Sequence, residues 1–82
     1  MSINVRDLIR MKLANILGRQ LSDDELATPF DALGIDSLEI VYFLCEIEDV
    51  LGIDLQMESI NPIECNTPEK IEQYINQLCR KI

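Results

Sequence analysis

Apolar residues in this chain recur three and four positions apart and nowhere alternate over a sustained stretch, so helices rather than strands must supply its core. The first such run puts Val5, Leu8, Ile9, Leu13, Ile16 and Leu17 on one face of an amphipathic helix, with Ser2 placed to cap its start and Gly18 its end. A second helix is expected from Ser37 to Leu51, ended by Gly52, with Ile40, Phe43, Leu44, Ile47, Val50 and Leu51 as its core stripe. A short third helical turn is expected near Met57 to Ile60, stopped by Pro62. The last helix has Thr67 as its cap, Pro68 at its first position and Ile71, Tyr74, Ile75, Leu78 and Ile82 as its buried stripe.

Between the first two helices, residues 19–36 hold Leu21, Leu26, Phe30, Leu33 and Ile35, which must pack inward and make this an ordered loop. Within it, Ser22 and Glu25 have the spacing of a capping box, enough to start a single helical turn. At 82 residues the chain supports one small domain, 1–82, of the all-α class: a four-helix bundle with three principal helices, one short third helix and a long loop between the first and second.

Charge is distributed unevenly. Residues 1–20 carry Arg6, Arg10, Lys12 and Arg19 against Asp7, residues 21–64 hold 12 acids and no lysine or arginine, and the whole chain has a net charge of -8. The acidic middle repels phosphate backbones, which disfavours nucleic acid as a partner, and attracts basic protein surfaces. Mutual repulsion among these acids should also make stability depend on salt.

Cys45, Cys65 and Cys79 form no C-x-x-C pair and the chain has no histidine, so neither a zinc site nor a disulfide framework is supported. The acids lack the alternating spacing of a calcium loop. The segment from Met1 to Arg6 lacks the apolar run of a signal peptide, and no stretch approaches membrane-spanning length, which makes a reducing cytoplasm the expected setting and a membrane not expected as a partner.

The chemistry of the chain centres on Ser37. Asp36 and Glu39 stand three apart, where an N-cap side chain and the third helical residue satisfy each other's backbone donors. Ser37 then occupies the first helical position, its hydroxyl released from capping and placed at a positive helix end that suits an attached phosphate. Without a histidine there is no ready general base for a nucleophilic serine, so a hydrolase is disfavoured and no catalytic residue is expected. On the outer face of the second helix Leu38, Tyr42, Cys45 and Asp49 align, with Glu39 and Glu46 alongside, an apolar strip rimmed by carboxylates that reads as a docking surface. The plainer alternatives are that Ser37 is itself the cap and that the acids only keep the domain soluble.

The run Phe30-Asp31-Ala32-Leu33-Gly34-Ile35-Asp36-Ser37-Leu38-Glu39 resembles the attachment motif of the acyl carrier protein family, in which Asp-Ser-Leu follows a glycine two residues before the aspartate. Length, acidity and helix order extend the resemblance to nearly the whole chain. It implies a non-enzymatic, monomeric carrier with 4'-phosphopantetheine, drawn from coenzyme A, attached to Ser37 next to Asp36 by a phosphopantetheinyl transferase. It implies thioester cargo passed to acyl-loading enzymes, ketosynthases and other acyl-transfer enzymes of fatty-acid or polyketide-type biosynthesis, and a recognition role for the second helix through Leu38, Glu39, Val41, Glu48 and Asp49, to which the outer-face strip adds Tyr42, Cys45 and Glu46 as expected partner contacts. Cys45 and Ile60 or Ile63 would line the acyl cleft. Tyr42 replaces the glutamate that bacterial fatty-acid carriers usually have five residues after the serine, Glu46 stands where they commonly have a small residue, and the segment 61–66 is longer. These departures keep open an aminoacyl or peptidyl carrier of a specialised pathway, beside an unmodified acidic adaptor for basic proteins.

Overall fold

The computed structural model describes residues 4–61 and 63–80. Among these residues the fold is wholly helical. Helix α1 spans Val5–Leu17, a single turn α2 spans Asp23–Leu26, α3 spans Ser37–Leu51, a 3-10 turn covers Met57–Ser59, and α4 spans Pro68–Arg80. The three long helices are those the apolar spacing predicts, and the short third element forms as a 3-10 turn followed by extended Ile60.

Each long helix begins and ends for a local reason. Asn4 caps α1, its side chain accepting the Asp7 N–H at 3.2 Å. The expected cap, Ser2, lies outside the described residues, and Asn4 takes the role because its oxygen stands three positions before an otherwise unpaired N–H. Gly18 and Gly52 close α1 and α3 in the left-handed conformation, at φ 72° and 67°, where a Cβ would be strained. Thr67 Oγ1 accepts the Lys70 N–H at 3.1 Å at the start of α4.

The core draws on every segment. Leu8, Ile9 and Leu13 of α1, Phe43, Leu44 and Ile47 of α3, and Ile71 and Ile75 of α4 are buried together with Leu21, Leu26, Phe30 and Ile35 from the long loop. That loop is therefore ordered by its own apolar side chains. It also carries the Ser22–Glu25 capping box, complete in both directions, which starts α2. The Ser22 N–H, and after it Arg19, hold the Glu25 carboxyl below the usual carboxylate range. Val50 departs from the expected stripe: it lies at the margin of the apolar face in the last turn of α3 and is 41 % exposed. Ile82 and Pro62 fall outside the described residues.

Helix α1 packs against both α3 and α4. Lys12 meets Glu46 at 3.6 Å, and Asn15 and Ile16 share a groove with Leu38 and Tyr42, so α1 and α3 run antiparallel. All four bases near the N-terminus find acids: Arg6 pairs with Glu72, Arg10 with Asp23, Lys12 with Glu46 and Arg19 with Glu25. The Glu72 carboxylate, by hydrogen bond and charge, raises the Arg6 pKa further.

Three acids of the 21–64 block are thus neutralised by α1 and its flank, and the rest have no ion pair among the described residues. Raising salt from about 0.01 M to 0.15 M, which shortens the Debye length from ~30 Å to ~8 Å, should still raise the melting temperature. The gain should be roughly 4–8 °C if screening contributes about 1 kcal/mol. A melting curve indifferent to salt would show that the four pairs suffice to balance the block. Among the described residues no helix is long and apolar enough to cross a membrane.

Candidate functional site

The site is built where the long loop turns into α3. Gly34, at φ 82°, lets the chain reverse, and the Ile35 N–H donates to the Phe30 carbonyl at 2.9 Å while Ile35 itself is buried. The next residue begins the helix. Asp36 Oδ1 accepts the Glu39 N–H at 2.8 Å, and Glu39 Oε1 accepts the Asp36 N–H at 3.1 Å. This reciprocal cap places Ser37 at the first helical position, exposed, with its hydroxyl not needed for capping. An ester-linked phosphate there meets the N-terminal amides and the positive end of the α3 dipole, so Ser37 fits the attachment of a phosphorylated arm. The neighbouring Asp36 carboxylate is already committed to the cap.

Ser37 also opens onto a cavity of about 700 Å³. Ile40, Val41 and Leu44 of α3 form one side, Met57, Ile60, Ile63 and Cys65 another, and Phe30, Ile35 and Ile71 the floor. Asp31, Asp36 and Asn66 are, with Ser37, its polar members. The lining is otherwise aliphatic and aromatic, the chemistry that shelters an alkyl chain and rejects a buried charge. Burial pushes the Cys65 thiol up, with a smaller contribution from Glu64, so this cysteine is a protonated apolar wall at neutral pH.

On the outer side of α3, Leu38, Val41, Tyr42, Cys45 and Asp49 are exposed, Leu38 by 77 % and Tyr42 by 62 %. Leu38 and Tyr42 form, with Glu39, Glu46, Asn15 and Ile16, a separate groove of about 470 Å³ between α3 and α1.

Several side chains expected at a docking face are occupied elsewhere. Glu39 is engaged in the cap and Glu46 by Lys12. Glu48 turns along the helix to accept the Leu55 N–H at 2.9 Å. One of its oxygens is thereby engaged internally, accepting a backbone donor that the chain leaves without a helical partner as it emerges from α3. Cys45, expected in the cleft, is exposed and does not line the cavity; Cys65 does, because the chain beyond the 3-10 turn folds back towards Phe30, whose N–H donates to the Asn66 carbonyl at 2.9 Å. Ile60 and Ile63 do line it. Phe30, Val41, Leu44, Met57 and Ile71 were not singled out as cavity residues by the sequence. Periodicity marks Leu44 and Ile71 as core and Phe30 as an inward-packing loop residue, Val41 is expected only as a partner contact and Met57 only in the short third helix, and only packing brings all five to one cavity wall. Among the described residues no three His, Cys, Asp or Glu side chains converge as a metal-holding group.

Comparison with known proteins agrees with this geometry. Residues 7–75 match the model of a family described as the phosphopantetheine attachment site. A protein of Ureaplasma parvum serovar 3 named acyl carrier protein homolog is 41 % identical over 64 residues, covering 78 % of this chain and 82 % of that protein. No solved structure gives a significant match. An exposed serine on a capped helix end, beside an apolar cavity and within a match that spans most of the chain, leads to one family: the chain belongs to the phosphopantetheine-binding carriers, the family of the acyl carrier proteins.

Proposed function

We propose that this chain carries acyl intermediates as thioesters on a phosphopantetheine arm attached to Ser37, for fatty-acid or polyketide-type biosynthesis, as a cytoplasmic monomer without catalytic activity of its own. The observation that carries this reading is the position of Ser37, exposed at the first residue of α3 and at the mouth of an apolar cavity. An alkyl cargo suits that cavity better than an aminoacyl group, since the ammonium of the latter would lose hydration among Ile40, Leu44 and Ile60.

The test begins with the purified protein, coenzyme A, magnesium and a broad-specificity phosphopantetheinyl transferase. One phosphopantetheine should be added, and fragmentation of the product should locate it at Ser37. A mass that does not change, or an adduct on another residue, would remove this reading. Binding of basic partners by the unmodified protein, undiminished in Ser37→Ala, would favour the adaptor instead.

Docking is assigned to the exposed strip of Leu38, Val41, Tyr42, Cys45 and Asp49 on α3, where basic surfaces of the transferase, ketosynthases and acyl-loading enzymes would meet an apolar surface rimmed by acids. Glu39 and Glu46 contribute charge at its edge although each holds an internal partner. Tyr42 is the member of this strip that distinguishes partners. Tyr42→Glu should leave the melting temperature nearly unchanged, because the ring is largely exposed, and should raise transfer to a fatty-acid ketosynthase relative to a polyketide ketosynthase. Equal ratios in the two proteins would deny Tyr42 that role.

A further inference from the structure

Leu55 is held on three sides. Its side chain is fully buried, its N–H donates to Glu48 Oε2 at 2.9 Å, and its carbonyl accepts the Tyr74 hydroxyl at 2.7 Å. These two partners come from different helices, α3 and α4, and they meet at one peptide segment. Burial pushes the Tyr74 hydroxyl up, so it remains a donor at neutral pH.

The residue that follows is unusual. Gln56 adopts the left-handed conformation, at φ 53° and ψ 56°, which a side chain with a Cβ seldom occupies. Its N–H is taken by Asp54 Oδ1 at 2.8 Å, and the Tyr74 hydroxyl lies 3.5 Å from its carbonyl. Such a conformation persists where the surroundings over-determine it. Here the surroundings are the two bonds to Leu55 together with the contacts of Gln56 to Asp54 and Tyr74.

Beyond Gln56 runs the segment that supplies Met57, Ile60, Ile63 and Cys65 to the cavity beside Ser37. Among the described residues its hydrogen bonds close within itself: Ser59 to Gln56, Ile60 to Met57, and Ile63, Glu64 and Cys65 to Asn61. Among the described residues, backbone ties to the rest of the molecule occur at its two ends, at Leu55 and Gln56 and where the Phe30 N–H meets the Asn66 carbonyl. Ile63 is 82 % exposed even though it lines the cavity. Residues 56–61 and 63–65 form a strap tied at both ends, with Met57, Ile60 and Cys65 packed against the core between them.

We infer that Glu48 and Tyr74 are positioning residues that clamp Leu55, set the distance of the 56–65 strap from α3, and thereby control how well a cargo in the Ser37 cavity is sheltered. This rests on the carrier reading. It moves Glu48 from the docking face to the interior of the mechanism, and it gives Tyr74 a role beyond filling the α4 stripe.

The inference is tested with the full chain and three substitutions, Glu48→Ala, Glu48→Gln and Tyr74→Phe. Acetyl and octanoyl thioesters are installed from the corresponding coenzyme A thioesters by the transferase, and each is challenged with hydroxylamine. In Glu48→Ala and Tyr74→Phe the octanoyl thioester should be cleaved roughly fivefold faster than in the wild type, the population change that follows loss of one net hydrogen bond. The acetyl thioester, too short to reach the strap, should react at the wild-type rate. Glu48→Gln keeps a carbonyl oxygen for the Leu55 N–H and should remain close to wild type.

Amide hydrogen exchange on the unloaded proteins supplies a second measurement. It should rise in residues 56–65 of Glu48→Ala and Tyr74→Phe and stay constant in α1 and α4. Equal octanoyl rates in all four proteins, or acceleration of acetyl and octanoyl alike, would overturn the clamp, as would exchange that rises throughout the domain. If the wild-type protein accepts no thioester, the carrier reading fails, and the exchange pattern decides the clamp by itself. Should Glu48→Ala fail to fold, Tyr74→Phe and Glu48→Gln carry the comparison.

Discussion

Replacing Ser37 by alanine is expected to abolish arm addition completely while leaving the stability of the protein within about 0.5 kcal/mol of the wild type, the usual range for an exposed substitution. The two halves of this expectation come from one geometry. Asp36, not Ser37, accepts the Glu39 N–H, so the energy of the helix cap, typically about 1 kcal/mol, resides in Asp36. Alanine is also favourable within a helix, so nothing in α3 opposes the change.

Intact mass after incubation with coenzyme A and transferase measures the first half, and a thermal melt measures the second. An adduct that survives in Ser37→Ala would place attachment elsewhere. A loss of stability approaching that of a missing cap would mean that the Ser37 hydroxyl caps α3 after all, and that its exposure has a structural purpose.

The largest effect on stability is expected at Phe43. It is fully buried on α3, with its ring centroid 6.3 Å from that of Phe30 and the two planes tilted by 54°. Phe43→Ala removes a whole ring from a core of, among the described residues, thirteen buried hydrophobic side chains, at a cost of about 3–5 kcal/mol. A domain of this size has a total stability of roughly 4–12 kcal/mol, so the variant should be marginal. Its melting temperature should fall by roughly 12–40 °C, given about 4–8 °C per kcal/mol.

This change also reaches the site. Phe30, the partner ring, lines the cavity beside Ser37, so a variant that still folds in the cold should shelter an octanoyl thioester less well than the wild type. Urea unfolding followed by circular dichroism measures the stability loss. A loss below about 1 kcal/mol, well under the range for a buried aromatic ring, would show that neighbouring side chains collapse into the space and that Phe30 and Phe43 are not the centre of the core.

The acidic block acquires a more specific meaning once its members are placed. Asp23, Glu25 and Glu46 neutralise bases from α1 and its flank, Glu48 serves Leu55, and Asp36 and Glu39 serve each other. Exposed pairs of this kind contribute little to stability individually. Their consequence is for recognition: Glu39 and Glu46, which line the Leu38–Tyr42 groove, are half-buried and already engaged, and Asp49 is the exposed acid of the strip. The number of acids in the sequence therefore overstates the charge available to a partner at that face.

What could be read from the sequence was local. Caps join residues three apart, so Ser22 with Glu25 and Asp36 with Glu39 could be recognised from spacing, as could the glycines that end α1 and α3. Helical periodicity is likewise written in neighbouring residues, and it located Leu8, Leu13, Phe43, Ile47, Ile71 and Ile75 in the core. The position of Ser37 at the first residue of a capped helix belongs to this class, since Asp36 and Glu39 stand three apart around it.

Tertiary structure decided the rest. The cavity brings Phe30, Leu44, Ile60, Cys65 and Ile71 together from segments far apart in the chain, and no spacing rule distinguishes Cys65, which lines it, from Cys45, which does not. Glu48 and Val50 show the same limit. Their place on a helical wheel is known from the sequence, yet one is drawn inward by the Leu55 N–H and the other is left uncovered at the end of α3. The physical reason is that hydrogen bonding within a helix is settled by neighbours along the chain, whereas the burial of a side chain depends on which distant surface comes to lie over it.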